Sequence, residues 1–504
     1  MQDNAAKNGT INVICGLLGQ IITIVLGIVI PRLVLVSYGS EVNGLLNSVT
    51  QIFTYFGLLE AGVGVASLQA LYAPVATNDR TQIQRVLAAT HHFYMKAGTI
   101  YILAVVILAF VYPFFVETEL AYGLIVGIIL FGGLGNCINF LYQGKYKILM
   151  QADGHLHVST NITTIFNVLT SLAKVALLLM GFNVLAVQFS FFVVNILQML
   201  MYLVYVRKHY AWIDLKVEPD NVAIEQKGST LIHQISGLIF NSTDVVLLTV
   251  MTRDLKVVSI YTMYKMVITM ATTLIQQIEA GFNFKLGQMY NTDRKQYMVL
   301  HHIFEIVYMI MVFAVMTAIY VMIVPFMRLY TAGITDVNYI NKWYPLYFVI
   351  TPLLTYGRTA ASDVINFAGH FKQTQNRAIA ESVINIVTSI IGIWKFGIFG
   401  ALLGTFLASF YRTNDIILYV YKYLLKDNPW KTYKRWISCF VIFFLVVVFV
   451  NVDNPIYSNY GMVILGGALW GIGCLLVYAL VQIVINPKET KDLISIIKGT
   501  IAGR

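Results

Sequence analysis

The sequence predicts an all-α integral membrane protein of about fourteen transmembrane helices, built as two parallel six-helix repeats with two further helices at the C-terminal end. Three observations lead there. Hydrophobic residues make up 58% of the chain and charged residues only 12%, too apolar a balance for a water-soluble protein of this size. Apolar runs long enough to cross a hydrocarbon core of about 30 Å recur from Ile11 to Tyr478, separated by short polar gaps. The third observation is that short phrases occur twice, in the same order, about 218 residues apart.

The apolar runs fall near 10–36, 43–72, 89–113, 119–142, 159–181, 184–206, 229–251, 257–285, 298–325, 343–367, 377–396, 398–425, 435–452 and 461–485. The first is expected to stay in the mature chain, because Met1–Gly9 holds one lysine and one aspartate, the run is long, and no small-residue cleavage site follows it. Cys15, Cys137, Cys439 and Cys474 all lie inside apolar runs with no CxxC or metal-ligand spacing, which argues against a disulfide or zinc site. No cofactor is implied.

The repeat is carried by Glu60-Ala61-Gly62 with Glu279-Ala280-Gly281, and by Asn167-Val168-Leu169-Thr170-Ser171 with Asn385-Ile386-Val387-Thr388-Ser389. Weaker echoes are His91-His92 with His301-His302, Tyr112-Pro113-Phe114 with Val324-Pro325-Phe326, and Gly154-His155-Leu156 with Gly369-His370-Phe371. Six spans per repeat is an even number, so both halves enter the bilayer in the same sense, which is the parallel-repeat plan found among transporters. The expected organisation is residues 1–215 for the first lobe, 216–430 for the second, and 431–504 for the last two helices and a tail. That last pair has no partner in the duplication and reads as an appendage, and Asn486–Arg504 reads as a surface helix.

Lysines and arginines crowd one set of alternate loops, from Lys7, Arg80 and Arg85 through Lys145, Arg207 and Lys285 to Lys426, Lys434 and Arg435. The opposite loops hold only Arg253, Lys256, Arg328, Lys342 and Lys395. By the positive-inside rule both termini lie in the cytoplasm. The net charge of +10 is then a topology signal plus attraction to anionic lipid, and its dispersal over many loops excludes a nucleic-acid partner. No loop exceeds about 25 residues, so a soluble catalytic domain has no room and the chain is not expected to be an enzyme.

Candidate functional residues are the polar ones inside the apolar runs. In the eighth run Thr262, Lys265, Thr269, Thr272, Gln276, Glu279 and Asn283 recur every three or four residues, so they share one helix face. A lysine or glutamate facing hydrocarbon costs about 3 kcal/mol on insertion scales, so that face must meet a partner or a wet cavity. The second run repeats the pattern thinly through Asn43, Asn47, Thr50, Thr54 and Glu60. The seventh carries His233, Gly237, Asn241 and Asp244, and the first carries Asn12, Gly16 and Thr23 ahead of Pro31-Arg32. A shared aqueous lumen accounts for four such faces; helix packing by small, weakly polar residues accounts for the individual Thr and Gly positions equally simply. The remaining intramembrane charges are Lys174, Arg358 and Arg412 among the cations and Asp363, Glu381 and Asp415 among the acids. Arg412 and Asp415 are spaced to pair with each other. Lys96 and Glu305, near helix starts, read as interfacial and able to snorkel, and the adjacent histidine pairs point about 100° apart on a helix and make poor metal chelates. No metal site is expected.

Several segments give a family resemblance: Pro31-Arg32-Leu33, Tyr38-Gly39-Ser40-Glu41-Val42-Asn43-Gly44-Leu45, Leu59-Glu60-Ala61-Gly62, Asp244-Val245-Val246-Leu247-Leu248, Val258-Ser259-Ile260-Tyr261, Ala368-Gly369-His370-Phe371-Lys372, Ala380-Glu381-Ser382-Val383-Ile384-Asn385-Ile386 and Gly397-Ile398-Phe399-Gly400-Ala401-Leu402-Leu403-Gly404-Thr405. The chain resembles the polysaccharide repeat-unit flippases (Wzx type) of the multidrug/oligosaccharidyl-lipid/polysaccharide (MOP) exporter superfamily. The resemblance implies a MATE-like bundle of twelve helices plus two, working by alternating access in the bacterial cytoplasmic membrane. The implied cargo is an undecaprenyl-pyrophosphate-linked glycan bound for a surface polysaccharide such as capsule or O-antigen. The implied partners are membrane lipids and other polysaccharide-assembly proteins.

A pyrophosphate cannot cross hydrocarbon unaided, so such a carrier needs cations in a wet cavity. Arg32, Lys265 and Arg358, with Lys174, Arg412, Asn241 and Gln276, are the candidate substrate contacts. Glu60, Asp244, Glu279 and Asp363 are candidates for a coupling-ion site or for ion-pair partners that reset the empty cavity. The competing readings are a MATE-type multidrug or cation antiporter and a peptidoglycan-precursor flippase of the same superfamily.

Overall fold

A computed structural model describes residues 2–60, 62–225, 228–453 and 457–502, and their side chains except at 2–24, 139, 228–231, 284, 497 and 499–502. The polar face expected from Asn12, Gly16 and Thr23, together with Cys15 and Ala61, lies outside the described side chains or residues. Every regular element among the described residues is a helix. α1 (Gln2–Phe56) takes in the first two spans across a sharp turn at Gly39, whose φ of 81° and ψ of −179° only glycine adopts readily. A short 3₁₀ turn at Gly57–Leu59 and Gly62 at φ 87° then lead into α2 (Val63–Ala76).

α3 (Arg80–Val111) begins where the Asp79 carboxylate accepts the Gln82 N–H at 3.0 Å. The fourth span, expected to end near 142, continues through α4 (Tyr122–Ile138), a π-helical turn at Asn139–Gln143 and α5 (Gly144–Ala152); the polar Gln143-Gly144-Lys145 stretch hid its continuation. α6 (Leu156–Leu179) and α7 (Val184–His209) follow, with Asn183 capping α7 and Arg207, Lys208 and His209 at its negative end. Next come α8 (Gly228–Thr252), α9 (Leu255–Thr292) and α10 (Arg294–Tyr330). The tenth span is cut at Arg358 into α11 (Tyr344–Gly357) and α12 (Thr359–Ala368). α13 (Phe371–Phe396), α14 (Ile398–Tyr419), α15 (Trp430–Phe449) and α16 (Tyr460–Ile485) complete the bundle, and the tail forms α17 (Pro487–Ala502).

Among the described residues, eleven helices are long and apolar enough to cross a membrane. One of these joins the first two spans through Gly39. The Arg358 break shortens the tenth span, and α14, which carries Arg412 and Asp415, is less apolar. With these resolved, the fourteen-span, all-α reading stands, and the chain is a multi-pass membrane protein.

The chain forms two compact units. The first is Met1–Leu238 with Leu248–Ser259, and the second is Ile239–Leu247 with Ile260–Arg504. In the first unit α4 and α6 pack on α7, and α1 packs on α6. The core includes Phe53, Tyr101 and Phe140, with the last two rings 4.9 Å apart. Leu248–Ser259, the turn from α8 into α9, belongs to this unit through polar and close backbone contacts. Asn43 donates to Ser259 Oγ at 2.7 Å, Thr249 to Ser48 Oγ at 2.8 Å, and the Arg253 guanidinium lies 3.3 Å from Glu117. A Cβ on Gly44 would stand 1.9 Å from the Leu255 carbonyl oxygen, so only glycine fits there.

In the second unit α13 lies against α14, and α16 lies along α10, so the last two helices are packed into this unit rather than hung from it. The α13–α14 approach depends on glycine. A Cβ on Gly400 would come 1.9 Å from the Gly392 carbonyl carbon, and one on Gly404 would come 2.3 Å from Ser389 Oγ. Such small-residue seams let membrane helices touch at the backbone. Gly400→Leu is expected to cost about 1–3 kcal/mol by overpacking, read as a lower unfolding midpoint in detergent; an unchanged midpoint would show that the seam is not tight.

Candidate functional site

The second unit contains a polar pocket of about 130 Å³ lined by residues of α8, α9, α11 and α14, including Asn241, Asp244, Lys265, Thr272 and Thr405. Asp244 projects from α8 and is 2% exposed. Its carboxylate accepts the Tyr261 hydroxyl at 2.7 Å and the Thr405 hydroxyl at 2.9 and 2.8 Å. Thr405 is in turn held by Asn385 Nδ2 at 3.0 Å. Beside this chain, Asn385 Oδ1 and Ser389 Oγ are buried with no hydrogen-bond partner among the described residues, so the locality is rich in oxygen acceptors. Lys265, one turn along α9 from Tyr261, donates to the Asn241 carbonyl, lies 5.6 Å from the Tyr261 ring centre and acts electrostatically on Asp244. The three- and four-residue spacing that put Lys265 on the polar face of its helix therefore aims it into a real cavity.

The lower part of the same stripe meets other partners. Gln276 donates to the Tyr356 hydroxyl at 3.4 Å, and Asn283 to Asp363 Oδ1 at 3.4 Å, while Asp363 Oδ2 is buried without a hydrogen-bond partner among the described residues. Tyr308 of α10 donates to Glu279 at 3.3 Å. The first unit repeats this contact, because the Tyr94 hydroxyl of α3 donates to Glu60, near which Lys147 also lies. A tyrosine of the following helix thus holds the glutamate of each Glu-Ala-Gly copy. The two copies nevertheless differ in backbone. Gly62 sits at positive φ next to the 3₁₀ turn, whereas Gly281 lies inside the unbroken α9.

Arg358 and Arg412 stand elsewhere in the second unit, in a buried charge network. Arg358 donates to Glu381 at 3.0 Å and to the Ser409 carbonyl and Thr413 hydroxyl at 3.3 Å. Arg412 contacts the other oxygen of Glu381 at 3.4 Å and pairs with Asp415 at 2.8 Å, the i,i+3 pair that the spacing suggests; Arg377 also reaches Asp415. Glu381 gathers both guanidinium groups and fixes the break at Arg358 against α13 and α14. Lys174 lies in the first unit 5.0 Å from the Phe191 ring centre, and Arg32 is half-buried in α1 beside Pro31.

Two expectations are corrected by one further network. Glu305 does not snorkel; it is 2% exposed and pairs with Arg435, which is fully buried rather than a loop charge. Arg435 also donates to Glu489 of the tail helix at 3.0 Å and to Asn486 at 2.9 Å, while Thr432 donates to Glu305 at 2.7 Å. The physical reason is that α15, α17 and α10 converge, so the basic end of α15 is enclosed by protein instead of water. His302 joins Asp427 at 2.9 Å. Although partial burial pushes the Asp427 carboxyl up, hydrogen bonds from Lys431, the Asn428 N–H and His302 hold it below its usual range. His301, His302 and Glu305 have their ligand atoms within 4.8 Å of one another, but the Arg435 guanidinium already supplies the positive charge at that point.

Sequence reasoning missed Tyr94, Tyr308, Thr405 and Arg435 as partners. The sequence carried no usable signal for them, since Tyr94 follows Glu60 by 34 residues and Tyr308 follows Glu279 by 29.

No protein-family model matches the sequence, and no curated protein sequence matches it. Solved structures do. The chain is similar to "Lipid II flippase MurJ, inward closed conformation", with a TM-score of 0.67 and 14% identity, over 96% of this chain and 100% of that one. It is similar to an inward-facing multidrug-resistance MATE family transporter of the MOP superfamily, with a TM-score of 0.56 and 14% identity, over 80% of this chain and 95% of that one. It is also similar to a MOP superfamily transporter from Pyrococcus furiosus, with a TM-score of 0.51 and 12% identity, over 81% and 94%. The chain has the fold of the MOP-superfamily transporters.

Proposed function

We propose that the protein is a flippase that carries a lipid-linked oligosaccharide, joined through pyrophosphate to undecaprenol, from the inner to the outer leaflet of a bacterial cytoplasmic membrane by alternating access. The observation that carries this reading is Lys265, an ammonium set into a polar pocket within a membrane-spanning bundle. A fixed cation at that depth is costly unless it serves an anionic guest or a partner. Asp244 supplies the partner in the empty state, and an arriving pyrophosphate competes for Lys265, freeing Asp244 for a coupling cation among the acceptors of Thr405, Asn385 and Ser389. Gln276 extends the cargo contacts within the second unit, and Arg32 and Lys174 are the candidate cargo contacts of the first unit. Arg358 and Arg412 act through their network with Glu381, as a frame for α12 and α14. Glu60, Glu279 and Asp363 serve the conformational cycle: the Glu-Ala-Gly copies are places where the second helix of each repeat bends or straightens.

The overlap with a lipid II flippase over nearly the whole of both chains, against about 80% of this chain for the MATE transporter, supports a lipid-linked cargo over a small cationic drug. A drug carrier would also favour an acidic pocket without Lys265. Lys265→Gln is expected to abolish translocation, at least a hundredfold below wild type, with normal membrane insertion; activity within threefold of wild type would remove Lys265 from the cargo site. The reading as a whole is tested by depleting the protein in its host and measuring undecaprenyl-pyrophosphate-linked oligosaccharides with a membrane-impermeant probe. Accumulation on the cytoplasmic face is expected. Normal levels and sidedness, with redundancy excluded, would favour the multidrug-exporter alternative.

A further inference from the structure

An apolar groove of about 340 Å³ runs between α9, α10 and α17. Its walls include Phe282 and Leu286 of α9, Ile303 and Phe304 of α10, and Leu493 of α17; among the described residues Lys285 is the one formally charged residue in its lining. Phe282, Ile278 and Val307 are exposed along it, on helices that cross the membrane, so whatever fills the groove comes from the lipid phase.

The tail helix sets the depth of its mouth. Glu489 is tied to the buried Arg435, and Leu493 and Ile496, four and seven residues further on, fall on the same face and complete the groove. Lys488, Lys491 and Lys498 are exposed on α17, with Asp492 the nearby acid. A short helix that is apolar on one side and basic on the other lies in the plane of the headgroups and is drawn to anionic lipid. Lys285 stands one turn beyond Phe282 on α9, at the end of the groove that such a helix holds at headgroup level.

We propose that this groove binds one acyl chain of an anionic phospholipid, with its phosphate at Lys285, and that the site is separate from the Lys265 pocket. The lysines at the mouth select the negative headgroup, and the apolar walls accept the chain. Bound lipid would then brace α17 against α9 and α10 independently of any cargo.

The test uses the full chain in nanodiscs. In a background with the six native tryptophans replaced by phenylalanine, a single tryptophan is introduced by Phe282→Trp, with Ile278→Trp as a second variant if the first does not fold, and fluorescence quenching by dibrominated phosphatidylglycerol is compared with that by dibrominated phosphatidylcholine. Leu172→Trp is the control, because Leu172 and Phe282 are both 53% exposed and Leu172 is far from the groove in sequence and belongs to the other unit. The expected result is half-maximal quenching at a mole fraction at least threefold lower for phosphatidylglycerol at Phe282→Trp, no such preference at Leu172→Trp, and its loss when Lys285→Gln is added. Equal quenching by both lipids, or the same preference at Leu172→Trp, would overturn the proposal. Displacement of brominated phosphatidylglycerol by a polyprenyl phosphate more effectively than by unlabelled phosphatidylglycerol would also overturn it, assigning the groove to the cargo tail.

Discussion

Replacing Arg435 with methionine is expected to destabilise the second unit by about 3–5 kcal/mol, the usual result of stranding one member of a buried ion pair. Glu305 is 2% exposed, and without the guanidinium Thr432, Tyr421, His302 and His301 remain beside it among the described residues. The tail helix loses its bond through Glu489 as well. The double variant Arg435→Met with Glu305→Leu should regain much of the loss, because removing both charges removes the desolvation cost along with the attraction. Unfolding midpoints in one detergent measure all three proteins. If Arg435→Met alone loses less than about 1 kcal/mol, the pair is solvated and the convergence of α10, α15 and α17 is looser than described.

The second large effect is a conformational lock. On the proposed alternating-access cycle some contacts open and reclose, and we predict that those holding the Leu248–Ser259 turn to α1 within the first unit are among them. Ser48 and Thr249 are both buried, with their hydroxyl oxygens 2.8 Å apart. The double variant Ser48→Cys/Thr249→Cys, in a background without the native cysteines, should form a disulfide on oxidation and stop translocation completely, with recovery on reduction. Crosslinking with undiminished transport would show that this contact does not open, and the cycle would have to run through a different gate.

Much of the fold is legible because the lipid phase simplifies the code: an apolar run of sufficient length must be a helix. Lys265 was legible for the same reason, since a charge inside such a run has few places to go. What the sequence does not carry is long-range pairing. Arg435 and Glu305 are far apart along the chain, and each taken alone looks like an interfacial charge, so their burial depends on three helices converging. Glu381 likewise reads as one acid among several until α11, α13 and α14 bring Arg358 and Arg412 to its two oxygens. The Glu-Ala-Gly copies show the limit most clearly. Gly62 stands at positive φ while Gly281 lies within continuous helix, and since a tyrosine meets the glutamate in both copies, neither the local phrase nor that contact sets the difference.

The most direct measurement is reconstitution of the purified chain into proteoliposomes containing an undecaprenyl-pyrophosphate-linked oligosaccharide, followed by the fraction of glycan reached by a membrane-impermeant oxidant over time. Glycan from the inner leaflet is expected to become accessible only with wild-type protein, and not with Lys265→Gln or the oxidised Ser48→Cys/Thr249→Cys variant. Glycan accessibility identical to that of protein-free liposomes, together with protein-dependent export of a cationic dye from the same preparation, would contradict it.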